Sequence, residues 1–202
     1  MRFSEYVEAD LRRNFQLEVS DDLEPTRAQL WKRVLSPRFA PVLLIRLAKG
    51  SQDCGLRPFA KLFSFLNFSW FGIEVGLGCE IGPGLYLPHT MGTVIGAKQI
   101  GSNVMIYNGV TLGAKRLDIR FTPSLRPILE DNVVVGTGAK VLGGITIGKG
   151  STVGANSVVT STISSDSTVV GNPARVIGSK PDDGSLIMSH ANLGSVDCYR
   201  EL

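Results

Sequence analysis

Histidine is nearly absent from this chain. Of 202 residues only His89 and His190 carry an imidazole, so a zinc centre built on three histidines lacks its ligands. Cysteine is almost as sparse. Cys54, Cys79 and Cys198 are odd in number and have no metal-ligand spacing, which fits a reduced, cytoplasmic setting better than a disulfide framework. No apolar run approaches the roughly 20 residues needed to span a bilayer. The first residues are acidic at Glu5, Glu8 and Asp10 and form no apolar core, so no secretory signal is read. Neither sign of charge dominates, and a net charge of +3 is too small to imply a nucleic-acid partner.

What the chain does have is glycine, 23 residues of it, and most of it serves a repeat. Aliphatic residues stand six apart at Val75, Ile81 and Leu87, then at Ile100, Ile106 and Leu112. They return at Leu129, Val135, Val141, Ile147, Val153 and Val159. Glycine directly follows many of them, as at Gly76, Gly82, Gly101, Gly136 and Gly154, and the fourth residue after each is small or apolar (Cys79, Val104, Val110, Ala139, Ser151, Ser157). A helix needs spacings of three and four, and a half-buried strand needs alternation. A fixed period of six fits neither and predicts a parallel β-helix, in which each hexad gives one short side of a three-sided coil.

Ahead of the repeat, residues 1–70 read as a small α-helical region. Phe3, Val7 and Leu11 share one helix face; a second helix follows Asp22 with Leu30, Trp31 and Val34 inward. A third begins near Pro41 and runs to Gly50, and a fourth starts at Pro58. The aromatic-rich stretch from Phe59 to Phe71 is expected to pack helix to helix and to cap the open end of the β-helix. Weak peripheral membrane contact, with Arg57 and Lys61 near headgroups, is the competing reading. Residues 71–178 form the repeat domain, and residues 179–202 a polar tail without periodicity, expected to be mobile.

Two breaks interrupt the period. One is Pro88-His89-Thr90-Met91-Gly92; the other runs from Ala114 to Ile128 and carries Lys115, Arg116, Arg120 and Arg126 against one acid, Asp118. Excursions from a solenoid are where sites are built. By itself His89 reads as a turn histidine before a catalytic one.

The strings LPHTMGTVIG, IGSNVMIYNGVTLGA, VVVGTGAKVLGGITIGKGSTVGANSVV and VVGNPARVIG resemble the hexapeptide-repeat acyltransferases. Within them the likeness is to the serine acetyltransferase branch and its capsule and exopolysaccharide (colanic-acid-type) O-acetyltransferase relatives. The resemblance implies a left-handed parallel β-helix that forms homotrimers, with acetyl-CoA lying in grooves between chains and no metal. It implies that His89 is the general base and that Glu74 stands where the branch has an aspartate to assist it. An imidazole with an ordinary pKa of about 6.5 suits that task, and a carboxylate on its far nitrogen fixes the tautomer. By the same resemblance Ala114, Thr137, Gly138 and Ala155 are the cofactor contacts, with Lys149 and Arg175 toward the phosphates. Small residues at β-helix corners and solvated surface cations are the bland alternatives for these six.

The departures bear on the acceptor. Where serine acetyltransferases place an aspartate before the base and an arginine-histidine pair in the long loop, this chain has Pro88 and Leu125-Arg126. The helical region is short, and the sequence ends in Glu201-Leu202. Together these favour a bulkier hydroxyl, such as a sugar of a capsule or exopolysaccharide precursor, with Tyr86, Pro88, Arg120 and Arg126 facing it. Serine O-acetylation with an altered pocket is the alternative, and a non-catalytic β-helix scaffold is a third. A γ-type carbonic anhydrase, another hexapeptide trimer, is ruled out by the missing histidines.

Overall fold

The computed structural model describes residues 2–19, 24–34 and 36–179. The tail beyond 179, with His190 and Cys198, lies outside the described residues.

Four α-helices come first: α1 (Phe3–Glu18), α2 (Arg27–Arg33), α3 (Ala40–Asp53) and α4 (Arg57–Phe71). Thr26 caps α2 by accepting from the Gln29 amide while Gln29 reaches back to the Thr26 amide, a reciprocal pair that satisfies two orphan donors. Helix α3 begins at Ala40 with Pro41 in its first turn, where a missing N–H costs nothing. It does not stop at Gly50 as expected but continues to Asp53, with the Cys54 amide bonding to the Gly50 carbonyl. Helix α4 ends at Gly72 in the left-handed region, φ 60°.

The β-helix follows without a linker. Its first coil holds β1 (Ile73–Val75), β2 (Glu80–Ile81) and a bridge at Tyr86. The second holds β3 (Thr93–Ile95), β4 (Gln99–Ile100) and β5 (Met105–Ile106), and the third β6 (Thr111–Gly113), β7 (Ile128–Leu129) and β8 (Val134–Val135). The fourth holds β9 (Lys140–Leu142), β10 (Thr146–Ile147) and β11 (Thr152–Val153). The last holds β12 (Val158–Val159), a bridge at Ile163, and the hairpin of β13 (Ser167–Gly171) with β14 (Ala174–Ser179). Equivalent strands of successive coils pair in parallel and make three sheets. The first side runs β1-β3-β6-β9-β12, the second β2-β4-β7-β10, and the third β5-β8-β11-β13-β14. Among the described residues only the closing hairpin is antiparallel, so the far end of the third side is covered by the chain's own turn.

The period of six is the packing rule made visible. From Leu87 to Val159 the in-phase aliphatics are buried, and Val75 and Ile81 of the first coil are partly buried against the same core. The second small or apolar position of each hexad is buried too: Cys79, Val104, Val110, Ala139, Ser151 and Ser157. Each buried branched side chain is worth about 1.5–3 kcal/mol against leaving it in water. After the first break it is Ile95, not Val94, that turns inward.

Helix α4 packs on α3 and against β1 as expected, but only part of its aromatic surface faces inward. Its Ala60 and Asn67 are buried, but Phe59, Leu62, Phe65, Phe68 and Trp70 lie on the outer face, between 47% and 68% exposed. Of the aromatic residues in this stretch Phe71 packs against the β-helix core, while the four on the outer face do not take part in covering it.

Candidate active site

The three sides meet along three columns of turns, and the column joining the third side back to the first contains His89. Its members are the turn around 88–92, then 107–109, 136–138, 154–156 and finally 171–174. Backbone bonds tie the first four in order: the Gly109 amide to Met91, the Gly138 amide to Asn108 and the Asn156 amide to Thr137, at 2.8–3.0 Å. Gly92, Gly109 and Gly138 have φ of 73°, 68° and 72°, a conformation in which side chains are strained. A Cβ on Gly138 would strike the Asn156 side chain, so the stacked turns leave a narrow glycine track with Asn108 and Asn156 beside it. Thr137 and Ala155 are exposed on it, and Thr137 donates to Asn108 Oδ1 at 3.3 Å. Lys140 of β9 donates to the Gly109 carbonyl at 2.6 Å, a contact the sequence did not single out. At about 4.8 Å per coil the track runs roughly 19 Å from His89 to the last turn, just before Arg175.

His89 is exposed at the head of this track. Its turn is fastened to the end of α4: Thr90 Oγ1 donates to the Phe71 carbonyl at 2.7 Å, and the Gly92 amide to the Gly72 carbonyl at 2.9 Å. Glu74 points outward from β1, where its backbone pairs with Val94 of β3, the strand the His89 turn feeds. The segment entering that turn is held from behind by a buried ion pair. Arg46 of α3 bonds Asp10 of α1 through Nε at 2.8 Å and Nη2 at 3.0 Å. Arg46 also donates to the carbonyls of Ile81 and Gly82, and Asp10 accepts the amides of Gly84 and Leu85 at 2.7 and 3.0 Å. Burial pushes the Asp10 carboxyl up, and the guanidinium and both amides oppose it. Only tertiary contact reveals this pair, since its members lie 36 positions apart in the chain.

Other expected site residues are placed elsewhere. Lys149 lies in the column between the second and third sides, where its amide donates to Glu130, so it does not share the track with Thr137, Gly138 and Ala155. Ala114 opens the excursion at the column between the first and second sides. Tyr86 is buried, and its hydroxyl donates to Glu18 of α1 at 3.3 Å. Burial pushes that phenol up, and the Glu18 charge adds to it.

Nor is the excursion a free basic arm. Arg126 bonds the Asp118 carboxylate at 2.9–3.0 Å and the carbonyls of Asp118 and Gly96, and it stacks on Phe121 at 4.0 Å. Phe121 in turn lies over Gly76 and Gly78, where any Cβ would strike its ring. Lys115 is bound to the Thr160 carbonyl at 2.7 Å. Arg116 and Arg120 remain exposed, as do the loop's apolar residues Leu117 and Ile119. The Cys79 thiol, pushed up to about 12 by burial, is no nucleophile at neutral pH.

Comparison with known proteins agrees with this architecture. The bacterial transferase hexapeptide family (six repeats) matches residues 126–161. A serine acetyltransferase of Helicobacter pylori is 39% identical over 166 residues, covering 81% of this chain and 95% of that protein. Among solved structures, the Brucella abortus serine acetyltransferase in complex with coenzyme A superposes with a TM-score of 0.72 at 28% identity, covering 89% of this chain and 69% of that one. The Neisseria gonorrhoeae serine acetyltransferase in complex with serine gives 0.72 at 28% identity, covering 87% and 69%. The closeness to polysaccharide O-acetyltransferases expected from the sequence finds no support in these relatives.

Proposed function

The chain belongs to the serine acetyltransferase family of hexapeptide-repeat transferases, and from that premise we propose that it moves the acetyl group of acetyl-CoA onto the hydroxyl of serine. Family membership makes it an acyltransferase. The observation that carries the acceptor is the Helicobacter relative. Nearly the whole of that serine acetyltransferase, 95%, aligns with this chain, so a short helical region is no mark against serine. The sugar acceptor favoured by the sequence rested partly on that shortness.

In this reading the winding is left-handed, as the family's is, and the pantetheine arm of acetyl-CoA follows the glycine track with its thioester at His89. Thr137, Gly138 and Ala155 flank the arm, and Arg175, at the far end, meets the phosphates. His89 takes the proton of the serine hydroxyl as its oxygen attacks the thioester carbonyl carbon. The carbon–sulfur bond breaks, and the CoA thiolate leaves with the proton held by the imidazolium. Glu74 supports the ring from β1 and stabilises that cation. The groove is completed by a second chain of a homotrimer. The site works within a soluble compartment, the cytoplasm being the natural one for acetyl-CoA.

One residue supports a bulkier acceptor instead. Pro88 offers no carboxylate to a serine ammonium, and a sugar hydroxyl needs none. The deciding experiment is thiol release from acetyl-CoA with L-serine or with nucleotide sugars as acceptor. Turnover with L-serine is expected to dominate; release with a sugar and none with serine would overturn the serine assignment and leave the acyltransferase intact.

A further inference from the structure

Helix α4 packs one line of its surface and leaves the rest to solvent. At about 3.6 residues per turn, Ala60 and Asn67, 1% and 3% exposed, share the inner line. The outer face sorts into three rows. Leu62, Phe65 and Ser69 form its centre; Phe59, Leu66 and Trp70 run along one edge; Arg57, Lys61 and Phe68 run along the other. All are exposed except Leu66, which is half-buried. The helix carries no acidic residue. A row of four phenyl and indole rings in water beside two unpaired-sign cations is not explained by the core, which α4 reaches through its opposite side.

We propose that this face of α4 docks the protein on an anionic lipid surface. The chemistry is that of an interfacial helix: apolar and aromatic side chains enter the headgroup boundary, and Arg57 and Lys61 along one edge meet lipid phosphates. Charge complementarity selects the occupant, since the face offers two cations and no acid to an anionic layer. None of the described helices is long and apolar enough to cross a membrane, so α4 lies on the surface and does not span it. Because the end of α4 holds the His89 turn through Phe71 and Gly72, docking places the catalytic turn close to the lipid.

The test is co-sedimentation of the full chain with vesicles of phosphatidylcholine alone or mixed with phosphatidylglycerol. The protein is expected to sediment with the mixed vesicles, less so at high salt, and weakly with phosphatidylcholine alone. Arg57→Gln and Lys61→Gln should each lower the affinity for mixed vesicles about fivefold. Phe65→Ser with Phe68→Ser should abolish sedimentation while the mass in solution stays unchanged. No sedimentation with either vesicle, or sedimentation indifferent to all four substitutions, overturns the proposal. A change of oligomeric mass in the Phe65→Ser, Phe68→Ser protein also overturns it, because the face would then join copies of this chain. The acetyl-transfer assay is independent of all these outcomes.

Discussion

At the scale of single residues, the site divides into groups that meet the substrate and groups that hold those groups still. His89 is exposed and free to meet a ligand, and on the proposed mechanism it is the proton acceptor. His89→Ala is expected to lower kcat by about 10²–10⁴-fold while the Kd for CoA, read by calorimetry, stays nearly constant. An active His89→Ala enzyme would move the base elsewhere. Asp10 and Arg46 belong to the second kind. Their side chains are 0% and 5% exposed, and between them they satisfy four backbone groups on the segment that leads to His89. Removing one partner strands a buried charge, so Asp10→Ala should cost about 3–5 kcal/mol of stability, measured by urea unfolding. Joint replacement by apolar residues of similar volume should restore much of that stability but not the register of Ile81–Leu85, so kcat should remain low. Recovery of both would reduce the pair to a packing role.

At the scale of elements, the excursion loop is the part whose shape is expected to respond to acid. Arg126, Phe121 and Asp118 form a clasp that folds the loop onto Gly76 and Gly78 of the first coil. Although desolvation acts upward on the Asp118 carboxyl, hydrogen bonds from Thr122 and Arg126 hold it below its ordinary value. A depressed carboxylate contributes stability above its unfolded pKa of about 3.9 and loses it as pH falls through the lower folded value. The clasp should therefore hold through the neutral range and open only in acid. Hydrogen exchange of the loop amides is the measurement: protection should persist down to about pH 4 and fall below it. In Asp118→Asn it should be weak at every pH. Protection that is insensitive to both acid and Asp118→Asn would mean that Phe121 alone holds the loop.

At the scale of the whole molecule, the proposed mechanism takes a track from one chain and its second wall from a neighbour. The exposed Leu117 and Ile119, at 90% and 86%, and the glycine turns beside His89 are surfaces a neighbouring chain would cover. Light scattering should give a mass three times the 21.7 kDa of one chain. A fully active monomer would end the shared-groove mechanism. Stability in such a stack is a sum over coils and the contacts between neighbours. Loss of the trimer should therefore cost activity before it unfolds the individual β-helix.

The period of six was enough to determine the coil, because each hexad sends its aliphatic residue to the same axis whatever the neighbours do. The in-phase residues from Leu87 to Val159 are buried for that reason, and the breaks at His89 and at 114–128 appear where the period lapses. Four helices were legible from apolar spacing, but α3 runs on to Asp53 because Gly50 is tolerated inside a packed helix, and α2 starts at Arg27 and leaves Trp31, expected inward, 68% exposed. What the spacing could not carry was contact across the chain. Asp10 meets Arg46 over 36 positions, and Arg126 spends its guanidinium on Asp118 and Gly96, so a residue that looked like an anion receptor is a structural clasp. Lys149 and Thr137 are near in sequence but stand in different columns, since two of a coil's three sides lie between them. The aromatic residues of α4 looked like a cap because hydrophobicity says only that a side chain avoids water. Which face of the helix the core would accept was decided by the packing of Ala60 and Asn67 against the rest of the fold.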